Sequence, residues 1–329
     1  MKEIDYAYAV ARIRVNEFKL LTTADIDQLI SVSDYQSALR FLEEKGWMNT
    51  EDNDDVNTAL KKQTNNTWQL LTELSPDIRE LDFLIIKNDF HNIKAALKKF
   101  ISANAFGSDI GESDSYVTPS VVDPEQIKNA VFNKDFNKLP DFAKEAIIKT
   151  YDVLIRTADD QLADIMLDSM ALNETMKKAE KTKNEFIIKM AELICVTVNI
   201  KIAVRSARTG KGRQFLETAL CQTKTIDKAS LIDAAVLGID ALADFITTSS
   251  YREAAEYITT SATAMEKWCD DMLISHIENA KYKSFGIEPL IAFFIAKDAE
   301  IKNVRIILSC KHNKLAPETI KERVRKLYV

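Results

Sequence analysis

An all-α protein is what this sequence predicts, and three observations predict it. The 329 residues include only 7 Gly and 6 Pro, too few for the tight turns that a strand-rich fold requires. From Asp141 to Thr209 neither occurs, and Gly238 to Gly286 encloses a second stretch free of both. A short motif then recurs, each time among apolar residues at helical spacing. Asn92-Ile93-Lys94, Asn199-Ile200-Lys201 and Asn303-Val304-Arg305 stand about a third of the chain apart.

One, four and five positions after each Asn come Ile93, Ala96 and Leu97, then Ile200, Ala203 and Val204, then Val304, Ile307 and Leu308. All are apolar and fall on one face of a helix. Eight positions before each Asn stands another apolar residue, Leu84, Ala191 or Ile295. A second marker lies further upstream: Tyr35 in "SDYQSAL", Phe136 in "KDFNKLP" and Tyr251 in "SSYREAA", each followed three residues later by Leu or Ala. Each unit reads as a short helix bearing the aromatic, a connecting helix or two, and the Asn helix. Such a period far exceeds that of a stacked solenoid, so the expectation is a triplication into helical domains 1–105, 106–210 and 211–329.

Along the chain, "MKEIDYAYAV" has no apolar core of a signal peptide. "NTEDNDDVN", with Glu51, Asp52, Asp54 and Asp55, reads as a solvated loop. The stretch 104–124, "NAFGSDIGESDSYVTPSVVDP", is rich in Gly, Ser, Asp and Pro and reads as a mobile linker. Long helices follow from Asp141, with polar "MKKAEKTKNEF" as an exposed turn or helix surface. "TGKGR" is a short break, and "SFGIEP" precedes a final helix pair ending in "ETIKERVRKLYV". No apolar run approaches the ~20 residues of a membrane span. "ELICVTVNI" and "PLIAFFIAK" read instead as buried helix segments.

A hydrophobic fraction of 46% with 29% charged residues suits a soluble, core-forming chain. The net charge of −6 argues against nucleic acid or bare anionic lipid as the main partner. Cys195, Cys221, Cys269 and Cys310 are scattered, without a C-x-x-C pair, and read as reduced, buried thiols.

Templates for chemistry fail. The phosphate-loop pattern needs Gly where "RSARTGKGR" has Arg205, and Ser or Thr where it has Gly212. His91, His276 and His312 lack partners at metal-ligand spacing, and His312 near Cys310 has no second pair. No catalytic, cofactor-binding or metal residue is assigned. Asn is a mediocre helix former. Its amide at 92, 199 and 303 could bond a neighbouring helix end or loop and fix the packing register. Asp89 and Glu300, three residues earlier, could share that network, whereas the second copy has Val196 there. Arg12 and Arg14 in "ARIRV", together with Lys94, Lys201 and Arg305 after the Asn residues, admit two readings: internal salt bridges or partner contacts.

Four segments carry a resemblance: "YAYAVARIRVNEFKLLTTADIDQLI", "DYQSALRFLEEKGW", "LDFLIIKNDFHNIKAALKKF" and the closing "IKERVRKLYV". Together they resemble the C subunit of the V/A-type (vacuolar-type) ATPases, whose eukaryotic relative is the d subunit. The similarity spans essentially the whole chain, "DFHNIK" is its most specific part, and Asn104 to Asn184 adds little. The resemblance implies three similar helical domains arranged as a funnel or socket. It implies a non-catalytic central-stalk rotor subunit, peripheral on the cytoplasmic face of the membrane. Its partners would be the central-shaft subunits and the membrane rotor (proteolipid) ring, with ATP-driven ion transport or ATP synthesis carried by other subunits. Two other readings compete: a free-standing helical scaffold binding several proteins, and a helical enzyme built on the scattered carboxylates and histidines.

Overall fold

The computed structural model describes residues 3–48, 55–106, 115–157 and 159–329. Among these residues the regular structure is entirely helical. The first α-helices are α1 (Ala7–Glu17), α2 (Thr23–Ser31), α3 (Tyr35–Glu44), α4 (Val56–Leu74) and α5 (Asp82–Phe106). Then come α6 (Pro124–Asn133), α7 (Asp141–Thr157), α8 (Asp160–Thr182), α9 (Glu185–Thr209), α10 (Arg213–Ala219) and α11 (Lys228–Leu237). The chain ends with α12 (Ile239–Thr247), α13 (Ala254–Thr260), α14 (Ala262–Ile277), α15 (Glu288–His312) and α16 (Pro317–Arg323).

These helices form two compact units, one of Met1–Ile78 with Glu256–Val329 and one of Arg79–Ala255. Each unit draws on more than one of the thirds expected from the repeat, because α5, which carries Asn92, packs with α6, α7 and α8.

In the unit of the two chain ends, Leu29, Ile30 and Leu42 from α2 and α3 pack with Val304, Ile307 and Leu308 from α15. Local chemistry starts these helices. Thr22 and Asp25 form a reciprocal capping box at α2, with Thr22 N–H donating to Asp25 at 2.9 Å. Asp34 caps α3, and Asp55 caps α4 by accepting from Thr58 N–H at 2.7 Å. Asp55 of the acidic run is therefore a helix cap rather than a loop residue, while Glu51, Asp52 and Asp54 lie outside the described residues.

In the unit Arg79–Ala255, Ile86, Phe90, Ile93 and Leu97 from α5 meet Ile127 from α6 and Ala143 and Ile147 from α7. The stretch free of Gly and Pro becomes α7, α8 and α9, of 17, 23 and 25 residues. "MKKAEKTKNEF" holds the turn between the last two. Lys183 takes a left-handed φ of 55°, and Asn184 then caps α9 by accepting from Phe186 and Ile187 N–H. "TGKGR" ends α9 at Gly210, whose φ of 68° suits a residue without Cβ.

Two expectations need correction. Tyr35 opens α3, but Phe136 and Tyr251 sit in turns rather than helices. Pro140 biases the residue before it away from helical geometry, and the Ser249 hydroxyl takes the Tyr251 N–H into a side-chain turn at 3.0 Å. The second correction concerns 104–124, expected to be a mobile linker. Residues 107–114 lie outside the described residues, but 115–122 is fastened to α5 and Pro124 begins α6. Its Gly, Ser and Pro content excludes a helix without excluding hydrogen bonds. The apolar runs in α9 and α15 are buried, and no described helix is long and apolar enough to cross a membrane.

Candidate functional site: asparagine clamps and an exposed face of α1

The apolar face around each Asn is buried: Ile93, Ala96 and Leu97, Ile200, Ala203 and Val204, and Val304, Ile307 and Leu308 are each 3% exposed or less. The asparagines themselves are at most 1% exposed. A buried amide must find partners, and all three find the same kind. Asn92 donates to the Val117 carbonyl at 2.9 Å and accepts the Val117 N–H at 2.8 Å. Asn199 does the same with Cys221, at 2.8 and 3.1 Å. Asn303 does it with Arg325, at 3.0 and 2.8 Å. Each amide thus holds both backbone groups of one residue 25, 22 and 22 positions later.

A carboxylate secures each clamped segment beside the amide. In the first copy Asp89 accepts from Val121 and Val122 N–H at 2.9 and 2.7 Å. In the second, Glu192 accepts from Lys224 and Thr225 N–H at 2.7 and 2.9 Å. In the third, Asp271 on α14 accepts from Lys326 N–H at 2.6 Å, and Asp270 binds the Arg325 guanidinium at 2.9 Å. Burial pushes Asp89 up to about 6, against the pull of its two N–H donors and Lys178. Glu300 is instead turned to a different task. It accepts from Leu21 N–H and pairs with Lys297 at 2.7 Å, and burial raises its pKa.

The repeat aromatics differ in setting, Tyr35 opening α3 while Phe136 and Tyr251 lie outside helices. Each is half-buried, and the residue three positions on, Ala38, Leu139 or Ala254, is buried. Tyr35 meets His312 edge-on at 5.4 Å. Phe136 lines an apolar groove of about 310 Å³ with Phe100 and Ile155. The Tyr251 hydroxyl lies 3.0 Å from Thr225 Oγ1, on the segment that Asn199 clamps.

The candidate cations divide. Arg14 is committed inside its unit: it binds Glu17 at 2.8 Å and donates to the carbonyls of Ala280 and Lys283 at 2.6 and 2.8 Å. Lys94 pairs with Asp164 at 2.9 Å, Lys201 has partners within the chain, and Arg305 donates to Asn57 at 3.1 Å. Arg12 is exposed, with no ion pair among the described residues. Its neighbours are a feature that residue-by-residue scanning of the sequence missed. Ala9, Val10 and Ile13 bury one side of α1, while Tyr8, Ala11, Arg12, Val15 and Phe18 share the opposite, exposed side. Phe18 is 91% exposed, and Tyr282, in the segment that Arg14 binds, is 85% exposed. A helical-wheel count over α1 carries that signal: its apolar residues occupy two faces where one would bury the helix.

His91 Nε2 lies 3.0 Å from the Ser115 carbonyl, beside the first clamp. Among the described residues no group of three or more His, Cys, Asp or Glu side chains could hold a metal ion.

The family model for the ATP synthase (C/AC39) subunit matches residues 9–323. The V-type sodium ATPase C subunit of Enterococcus hirae is 23% identical over 96% of this chain and 97% of its own length. The A-type ATP synthase C subunit of Methanocaldococcus jannaschii is 25% identical over 96% of this chain and 85% of its own. The equivalent A-type protein of Methanothermobacter thermautotrophicus is 22% identical over 96% and 86%. With these relatives aligned nearly end to end, the chain belongs to the ATP synthase C/AC39 subunit family.

Proposed function

We propose that this chain is a non-catalytic central-stalk subunit of a V/A-type rotary ATPase, coupling the central shaft to the membrane rotor ring. The observation that carries the reading is the match over residues 9–323 to a family of ATPase subunits. In this reading the three repeats are domains arranged as a funnel or socket that receives the shaft. The protein sits peripherally on the cytoplasmic face of the membrane, and ATP hydrolysis or synthesis and ion passage belong to its partners.

The construction suits a torque-bearing part. A coupler must transmit force without yielding, so its long helices should be fastened to segments distant along the chain. Three amides that each hold both backbone groups of a distant residue do this without any reactive group. Docking calls for exposed apolar surface with a charge to orient it, and the outer face of α1, with Arg12 among Tyr8, Val15 and Phe18, has that composition. Arg12 is the strongest partner-binding candidate. Lys94, Lys201 and Arg305 would contribute only through the polar capacity that their internal partners leave.

The test is purification of the tagged chain from membranes solubilised in mild detergent, with co-eluting proteins identified by mass spectrometry. Recovery of a proteolipid ring together with shaft subunits supports the coupler. A soluble monomer, under conditions that keep a rotary ATPase intact, overturns it in favour of a free-standing scaffold.

A further inference from the structure

The segment "DYQSALRFLEEKGW" ends in Lys45-Gly46-Trp47, and these three residues leave α3 in a fixed shape. Gly46 takes a left-handed φ of 73°, its N–H donates to the Glu43 carbonyl at 2.8 Å, and the Trp47 N–H donates to the Leu42 carbonyl at 2.9 Å. This turn sets Lys45 and Trp47 into the wall of a cavity of about 350 Å³, within the unit of the two chain ends. Asn16 on α1, Lys19 just after it, Asn66 on α4 and Lys297 on α15 supply further polar groups to that wall. The charge of the wall is one-sided: Lys19, Lys45 and Lys297 line the cavity, and among the described residues no carboxylate does. Two of the lysines are paired, but with carboxylates outside the lining. Lys45 meets Asp25 at 2.6 Å and Lys297 meets Glu300 at 2.7 Å, so each pair turns its positive end to the cavity. Among the described residues Lys19 has an amide for a partner, Asn16 Oδ1 at 3.2 Å. Lys297 is built into the fold: it is 9% exposed, and its ammonium lies 4.1 Å from the centroid of the Trp47 ring. An ammonium carries three donors, so Glu300 and the indole face leave one for a ligand.

We propose that this cavity binds a phosphate group, carried by a small soluble molecule or by a lipid headgroup. Three ammonium point charges converging from separate elements suit an anion whose charge is spread over several oxygens, since each lysine can donate to a different one. The volume admits a phosphate with an organic body attached. A bound phosphate would join the end of α1 to α3, α4 and α15. Because α1 bears Arg12 and Phe18, the ligand would fix the helix that carries the exposed apolar face.

The experiment titrates the purified full chain calorimetrically with inorganic phosphate and with glycerol 3-phosphate at constant ionic strength. In parallel the chain is sedimented with phosphatidylcholine vesicles that contain or lack phosphatidic acid. Saturable binding at a single site is expected, from the soluble probes, from the phosphatidic acid vesicles or from both. Lys19→Gln should weaken it roughly three- to tenfold, and Asn66→Asp, which puts a carboxylate among the lysines, should abolish it. Both changes fall at exposed positions, so the fold should survive them. Lys189→Gln, in the other unit, should bind as wild type does. Binding of glycerol 3-phosphate without the vesicles assigns a soluble ligand. Vesicle binding that Asn66→Asp abolishes, without the soluble probes, assigns a lipid headgroup, and either result supports the site. No saturable binding of any probe below about 10 mM phosphate, or binding that survives Asn66→Asp, would overturn the proposal.

Discussion

Replacing Asn199 by Leu isolates what a clamp contributes. The two side chains are similar in size, so the change removes the amide without opening a large cavity. It leaves both backbone groups of Cys221 in a fully buried position with their partner gone. Each orphaned group costs about 1–3 kcal/mol, and the apolar surface that Leu gains returns about 1 kcal/mol. The net loss should be roughly 1–5 kcal/mol. For a unit of this size that corresponds to a melting temperature lower by roughly 2–20 °C. Asn199→Asp should be worse, because a carboxylate still accepts from the Cys221 N–H but presents an oxygen to its carbonyl. Far-UV circular dichroism should follow the melt, since Trp47, Trp68 and Trp268 all lie in the other unit and their fluorescence would miss it. Trypsin supplies a local readout at Lys224, three residues beyond the clamp, where cleavage of the folded chain should accelerate. If Asn199→Leu melts within about 0.5 kcal/mol of wild type and Lys224 stays protected, the amide does not hold the segment and the clamp argument is refuted.

Three further outcomes follow from the same geometry. Asp89 titrates near 6 when folded and near 3.9 when unfolded, so the folded chain retains a proton over that window which the unfolded chain has released. Stability from this group therefore falls as pH rises from about 4 to 6, by on the order of 3 kcal/mol. In urea titrations across that range the stability of Asp89→Asn relative to wild type should rise with pH, and a flat difference would sink the assignment. Lys311 donates to the Ile30 and Val32 carbonyls at 2.9 and 2.6 Å, closing the end of α2; Lys311→Met should lose about 1–3 kcal/mol in chemical denaturation. The N-terminal arginines should separate: Arg14→Ala should lower the melting temperature, whereas Arg12→Glu should leave it unchanged and reduce the ring and shaft subunits recovered with the chain. Equal effects on melting would show that the outer face of α1 is not a surface.

Much of the fold was legible because its signals are local. Helix class follows from the scarcity of turn formers, and the buried face around each Asn follows from spacing within one helix. What the asparagines bind was not legible, for a physical reason. The amide reads a backbone N–H and a backbone carbonyl, which every residue but proline offers, so the partner's side chain is left unconstrained. Val117, Cys221 and Arg325 share nothing in sequence, yet they occupy the same place. The stretch 104–124 misled in a related way: its composition reports the absence of helix, whereas the hydrogen bonds that seat 115–122 come from Asn88, Asp89, His91 and Asn92 on another element. The exposed side of α1 was written in the sequence, but only a helical-wheel count separates it from the buried one.

The carboxylates explain why the three copies are alike in construction and faint in sequence. A clamped segment needs two fixed points if it is not to pivot about the amide. The second point can come from any acidic side chain that reaches the next free N–H groups. Asp89 reaches them from one turn before its Asn, Glu192 from two turns before, and Asp271 from a neighbouring helix. The longer Glu side chain suits the more distant position, and the third segment, close to the chain's last residue, takes an added ion pair between Arg325 and Asp270. The amide is therefore the common element and the carboxylate the variable one. A charged substitution that removes Asp271 should loosen only the segment after α16, just as Asp89→Asn acts only on the segment before α6. Three independent fastenings would let one segment be tuned, as the proton on Asp89 tunes the first, without releasing the others.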